Sequence, residues 1–279
     1  MAIYDGYEAA HEHLVEVAKA CAVAAARAPG LTGKLGLQME IITGDDLKPM
    51  IGLLEKLGEA SMFQRIDATT YRKQLDAGRL PPVLLLGADL TDAINWNCGG
   101  CGFPTCAEFT KYLHRNKGVG IGAYGPSCLW KVIDLGIAAD YACACAAMHR
   151  VEVRIQFSMG ACSMFLNRLE GCSFILGLPL GPVGSDIWFN RRSWQGEVDY
   201  EGLRQMIIRS GPNLAMGFTG GGPPIMKTKQ RWWEDLQFMN IEHDEEIVEK
   251  AVENQAAAYE IVMRHAGVLD DEDLPGDQD

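Results

Sequence analysis

The chain has 279 residues, 48% of them apolar and 22% charged, and a formal net charge of −12. That length suits one large domain or two small ones, with a core that needs no disulfide staples. The composition excludes a disordered, collagen-like or coiled-coil chain, and the acidic balance argues against the basic face of a nucleic-acid binder.

Residues 5–27 place Ala10, Leu14, Val17, Ala18, Cys21 and Ala25 at helical spacing, closed by Pro29 and Gly30. Residues 37–42 alternate as a short strand, and Thr43 with the acidic residues after it caps a helix over about 45–60. The apolar run 82–86 reads as a buried strand. Residues 118–124 read as strand or loop, and 127–148 as a long alanine-rich helix. Residues 151–157 read as a strand, with helix as the alternative, 160–169 as a helix and 172–180 as a second buried strand. After Arg192 the character changes. Helices are expected over 199–210 and 244–265, separated by the Gly/Pro-rich stretch 217–224. Residues 269–279 carry six of the negative charges and read as a disordered acidic tail, which leaves the rest of the chain near −6. Strands and helices interleave, which predicts an α/β or α+β fold with a mixed sheet flanked by helices.

No membrane span is expected, because the most apolar stretch, 129–148, carries Lys131, Asp134 and Asp140. The first residues lack the basic and then apolar regions of a signal peptide, so a cytoplasmic location with reduced thiols is expected. Nine cysteines are present, and four lie between positions 98 and 128. Under reducing conditions that clustering points to metal rather than disulfides.

The central motif is Asn97-Cys98-Gly-Gly-Cys101-Gly-Phe-Pro-Thr-Cys106, a C-x2-C-x4-C spacing. Gly99, Gly100 and Gly102 permit the tight turns that bring sulfurs together, and backbone N–H groups in such a loop can hydrogen-bond them. Pro104 and Thr105 signal a helix start, which sets Cys106 at the positive end of a helix that also carries Phe109 and Leu113 on one face. Cys128, in Gly125-Pro126-Ser127-Cys128, again follows a Gly-Pro turn and opens a helix. Cys98, Cys101, Cys106 and Cys128 are therefore the expected ligands of one [4Fe–4S] cluster. Zinc, whose structural sites usually show two C-x2-C knuckles, is the alternative.

With this motif, the chain resembles the uncharacterised ferredoxin-domain-containing proteins of anaerobes, through most of residues 15–192. The resemblance runs over Ala24-Ala-Ala-Arg-Ala-Pro29, Glu40-Ile-Ile-Thr-Gly-Asp-Asp46 and residues 97–109. It continues over Gly125-Pro-Ser-Cys128 with Lys131 and Asp134-Leu-Gly-Ile-Ala138, and closes on Gly177-Leu-Pro-Leu180 and residues 184–191. The cysteine loop alone is similar to cluster domains of Rnf-type electron-transport subunits and corrinoid iron–sulfur proteins, which implies a [4Fe–4S] cube. In those domains the fourth cysteine comes sooner, so Cys143 and Cys145 stand as fallbacks for Cys128. Asp140, Tyr141 and Val151-Glu-Val-Arg154 depart from the family pattern. A second resemblance, to flavin-dependent nitroreductase-like folds, implies FMN at a dimer interface, with Arg27 and Lys34 as candidate phosphate ligands.

The resulting division is an α/β redox domain over 1–192 with a cluster module at about 90–130, a mostly helical extension over 193–268 and the tail. The expected function is single-electron transfer, as an oxidoreductase or as an electron-transfer subunit of a redox complex. A flavin-plus-cluster reductase and a zinc-stapled interaction protein are the alternatives. The partner would be a redox protein or a small-molecule substrate. Trp188, Trp194, Trp232 and Trp233 suit a homodimer or docking face as well as they suit a core. Cys21, Cys162 and Cys172 read as core thiols. Lys131 and Asp134, three apart on one helix, read as an ion pair, with proton handling by Asp134 as the sharper option.

Overall fold

The computed structural model describes residues 3–188, apart from 61, 117, 121, 185 and 186, together with positions 249, 253, 256, 257, 260, 261 and 264. The chain divides into two compact units, Met1–Glu55 with Asp67–Asn190, and Lys56–Ile66 with Arg191–Asp279. In the second unit the described positions between 249 and 264 are helical, and Arg264 pairs with Glu260 at 2.8 Å. They fall within the helix expected over 244–265. The expected helix 199–210, the stretch 217–224, Trp194, Trp232, Trp233 and the tail lie outside the described residues.

The chain opens with α1 (Gly6–Glu12) and α2 (Leu14–Ala26), then β1 (Gln38–Ile42). A single 3-10 turn leads into α3 (Lys48–Ala60), followed by α4 (Met62–Asp76) and β2 (Val83–Ala88). Next come α5 (Cys106–Asn116), β3 (Gly118–Gly120), β4 (Ala123–Gly125), α6 (Leu129–Met148), α7 (Phe157–Phe165) and β5 (Phe174–Pro179). The one helix expected over 5–27 is two, joined at His13, whose backbone stays in the right-handed helical region. Thr43 makes no side-chain cap, contrary to expectation. Residues 151–157 form no continuous strand. They touch the sheet through two isolated bridges, Val153 to Leu180 and Gln156 to Gly177.

The five strands order as β1-β2-β5-β4-β3, and all four pairings are antiparallel. The two six-residue strands, β2 and β5, have no polar side chain and lie inside the sheet, where both faces can be covered. On one face, Leu84, Leu86, Ala88, Leu178 and Leu180 pack against α2 and α6. The alanines of α6 (Ala138, Ala139, Ala142 and Ala146) let the two helices approach closely over that face.

On the other face, α7 presses on β5. A Cβ at Gly160 would lie 1.9 Å from the Ile175 carbonyl oxygen, and one at Gly177 would lie 2.8 Å from the Met159 Cβ. Small residues at these two crossings are therefore a steric requirement. The start of α7 also carries a buried polar seam. Ser158 Oγ donates to the Asp67 carboxylate, and the Tyr71 hydroxyl donates to Gln156 Oε1 at 2.8 Å.

Asp134 and Lys131 do not pair with each other. Both are buried, and each satisfies itself elsewhere. The Asp134 carboxylate accepts from Leu31 N–H at 2.6 Å, Thr32 N–H at 3.1 Å and Thr32 Oγ1 at 2.6 Å. It thus pins the loop after α2 onto α6. Lys131 reaches the loop after β2, donating to Asp92 at 2.9 Å and the Asp89 carbonyl at 3.2 Å. The reason is geometric. Each side chain meets a different loop with bonds to offer, Asp134 the loop after α2 and Lys131 the loop after β2.

Asp134→Ala removes three acceptor contacts at once and is expected to cost about 3 kcal/mol in urea unfolding, against about 1 kcal/mol for Thr32→Val. Equal small losses for the two variants would show that Asp134 does not pin this loop.

Candidate metal centre

Cys98, Cys101, Cys106 and Cys128 line one small recess that is open to solvent. Its other walls are Ala93, Ile94, Gly99, Phe103, Phe109 and Leu129, so no charged side chain contributes. Three sequence segments meet there: the loop after β2, the first turn of α5 and the start of α6.

The meeting point is fixed by backbone bonds. Ser173 N–H donates to the Ala88 carbonyl at 3.0 Å, and Leu90 N–H donates to Ser173 Oγ at 2.7 Å. Cys128 N–H then donates to the Leu90 carbonyl at 2.7 Å. The entry to β5 and the start of α6 are thereby held to the exit of β2, and Cys128 is the N-cap residue of α6. The structure places Cys128 in the same recess as the loop cysteines. Cys143 lies fifteen residues further along α6, about 22 Å at 1.5 Å per residue, and Cys145 further still. Neither lines the recess.

The loop before α5 turns through residues with positive φ: Asn95 (65°), Asn97 (50°), Gly99 (73°) and Gly102 (88°). Asn97 clasps Cys106 twice. Its Oδ1 accepts from Cys106 N–H at 2.8 Å, and its own N–H points to Cys106 Sγ at 3.4 Å. Thr105 Oγ1 accepts from Glu108 N–H at 3.2 Å, completing the expected helix start. Cys106 and Cys128 both stand at helix N-termini, where aligned peptide dipoles favour negative charge. Gly100 packs against α6. A Cβ there would come within 2.7 Å of the Leu129 side chain.

The cysteines differ electrostatically. The Gly100 backbone amide, then the Trp130 indole N–H, hold the exposed Cys98 thiol below its ordinary pKa. Burial, with Cys145 beside it, pushes Cys21 up to about 12. Burial also pushes Cys143 and Cys172 each up to about 11, helped by Asp140 and Asp89 respectively. Cys162, wholly buried near Asp67, is pushed up as well. Cys21, Cys162 and Cys172 are the core thiols they were read to be.

Asn97 and Trp130 are the contributors that sequence reasoning missed. Asn97 stood in the motif without a role, and a polar residue in the left-handed region one position before a ligand was its signal. Trp130 lies two residues after Cys128, but only the fold reveals that its indole reaches Cys98, at 3.1 Å. Arg27 and Lys34 are both exposed and flank the loop pinned by Asp134.

The donor set suits an iron–sulfur group. Four thiols surround an apolar recess, and N–H groups are directed at Cys98 and Cys106. Among the described residues no three His, Cys, Asp or Glu side chains gather as the ligands of a single metal ion.

The comparisons with known proteins agree. Residues 95–118 match a family model described as "Putative Fe-S cluster", and residues 124–191 match one described as "Uncharacterized protein containing a ferredoxin domain". The resemblance to ferredoxin-domain-containing proteins read from the sequence is thereby supported over the segments that carry the cysteines. An uncharacterized protein of Archaeoglobus fulgidus is 28% identical over 171 residues, 61% of this chain and 87% of its own. A solved structure, of B. megaterium NfrA1, is similar over 91% of this chain and 90% of that chain. Its identity is 10% and its TM-score 0.34, a likeness too low to transfer fold or activity.

Thiol labelling of the metal-free protein tests the electrostatic division. Cys98 should alkylate fastest at neutral pH, and its rate should level off at a lower pH than that of an unperturbed cysteine, because its thiolate forms earlier. Cys21 and Cys162 should label only after unfolding. Mass spectrometry of the labelled peptides reads both, and preferential labelling of Cys143 over Cys98 would contradict the division.

Proposed function

We propose that the chain is an iron–sulfur redox protein that binds one [4Fe–4S] cluster through Cys98, Cys101, Cys106 and Cys128 and passes single electrons. The observation that carries this reading is the convergence of all four thiols on one recess, although Cys128 is separated from Cys106 by a helix and a hairpin. An iron–sulfur group, when bound, supplies reversible one-electron chemistry.

The chain's own residues do the rest. The two helix N-termini and the Gly100 and Trp130 donors offset negative charge on the sulfurs. The Phe103 ring stacks edge-on to Phe109, with centroids 5.7 Å apart, and Phe109 is buried, so water is kept from the inner side of the recess. Lys131 brings a buried positive charge to the loop that leads into the cysteines, held by Asp92 and the Asp89 carbonyl. Cys98 stands at the outer rim, where an electron donor or acceptor can approach.

Protein purified without oxygen should contain about four iron and four acid-labile sulfide per chain, with a broad visible absorption bleached by dithionite. Cys128→Ser should lose or greatly weaken that content, and Cys145→Ser should keep it. Stoichiometric zinc without sulfide would overturn the reading. Loss of iron in the Cys145 variant but not in the Cys128 variant would overturn the ligand assignment.

A further inference from the structure

Among the described residues, the Trp130 indole donates a side-chain hydrogen bond to a sulfur of the recess. Its Nε1–H points at Cys98 Sγ at 3.1 Å. The ring is held by Trp96, with centroids 5.8 Å apart in an edge-on contact at 62°. Trp96 lies in the loop just before Asn97 and is half exposed, at 49%. The pair therefore spans the gap between the cysteine loop and the first turn of α6. It lies on the exposed side of the site, where Cys98 would otherwise meet only water and backbone.

From this geometry we propose that Trp130 is a positioning residue that sets the electron affinity of the bound cluster through Cys98. The proposal rests on the cluster reading above. A hydrogen bond donated to a ligand sulfur draws negative charge from it. The more reduced, more negative state gains more from that bond than the oxidised state does, so the bond raises the reduction potential. A half-buried indole does this better than water, because its direction is fixed by Trp96 and by its place two residues after Cys128. Gly100 supplies a second bond to the same sulfur from the backbone, which side-chain substitution leaves in place.

The test is a potentiometric titration of the purified holoprotein and of Trp130→Phe, with iron and sulfide measured on the same samples. The phenylalanine keeps an aromatic ring against Trp96 and loses the N–H. The variant should retain its iron and sulfide, and the equilibrium constant for its reduction should fall about tenfold, which is about 59 mV for a one-electron couple. The Fe–S(Cys) stretching bands in resonance Raman should also lose part of their shift on transfer to D2O.

Site-specific replacement of Trp130 by its benzothienyl isostere, which keeps the shape and lacks only the N–H, should reproduce both effects. It decides the matter if the phenylalanine variant assembles poorly. An unchanged potential in a fully loaded isostere variant would overturn the role of Trp130 while leaving the cluster reading intact. Failure of the unaltered protein to bind iron and sulfide would instead overturn the reading on which the proposal rests.

Discussion

The bond from Cys128 N–H to the Leu90 carbonyl is the constraint on which the site depends. It ties the N-cap residue of α6 to the exit of β2. Ser173 makes the knot threefold by bonding both Ala88 and Leu90. With these bonds made, the loop that carries Cys98, Cys101 and Cys106 has its beginning fixed beside Cys128. The sheet and the α2–α6 layer have an evident part in this. They bury the strands and the helix whose ends form the knot, and so hold those ends rigid.

Much of the site was legible because its chemistry is local. C-x2-C-x4-C, the intervening glycines and the Pro-Thr helix start are all decided within ten residues, and the structure realises each as the pattern implies. The two apolar strands were legible for a similar reason, since a run without polar side chains has few places to go but the centre of a sheet. What the pattern did not reveal depends on contacts distant in sequence. Trp130 and Cys98 are 32 positions apart, and Asp134 and Leu31 are 103 apart. The separation i, i+3 suggested an ion pair between Lys131 and Asp134, but spacing along one helix says nothing about stronger partners on neighbouring loops. Helix α4 went unread for another reason. Its sequence is polar enough to pass for a solvated linker, yet Tyr71 and Thr70 are buried.

The nine cysteines separate by environment rather than by sequence. Those in the core sit where a thiolate would be poorly solvated, so burial keeps them protonated and chemically quiet. Cys98, at the rim of the recess, meets a backbone amide and an indole N–H, and both favour its anion. The same side chain thus behaves differently at Cys98, which meets hydrogen-bond donors, and at Cys21 and Cys162, which meet hydrocarbon.

The double clasp between Asn97 and Cys106 has a consequence for assembly. A small metal domain that folds only around its ion must offset the conformational entropy of its ligand loop with binding energy. Here the loop's turn is closed by protein–protein hydrogen bonds, and Cys128 is seated on Leu90. Those bonds are made by the protein's own groups, so the order of the ligand loop does not rest on the thiols alone.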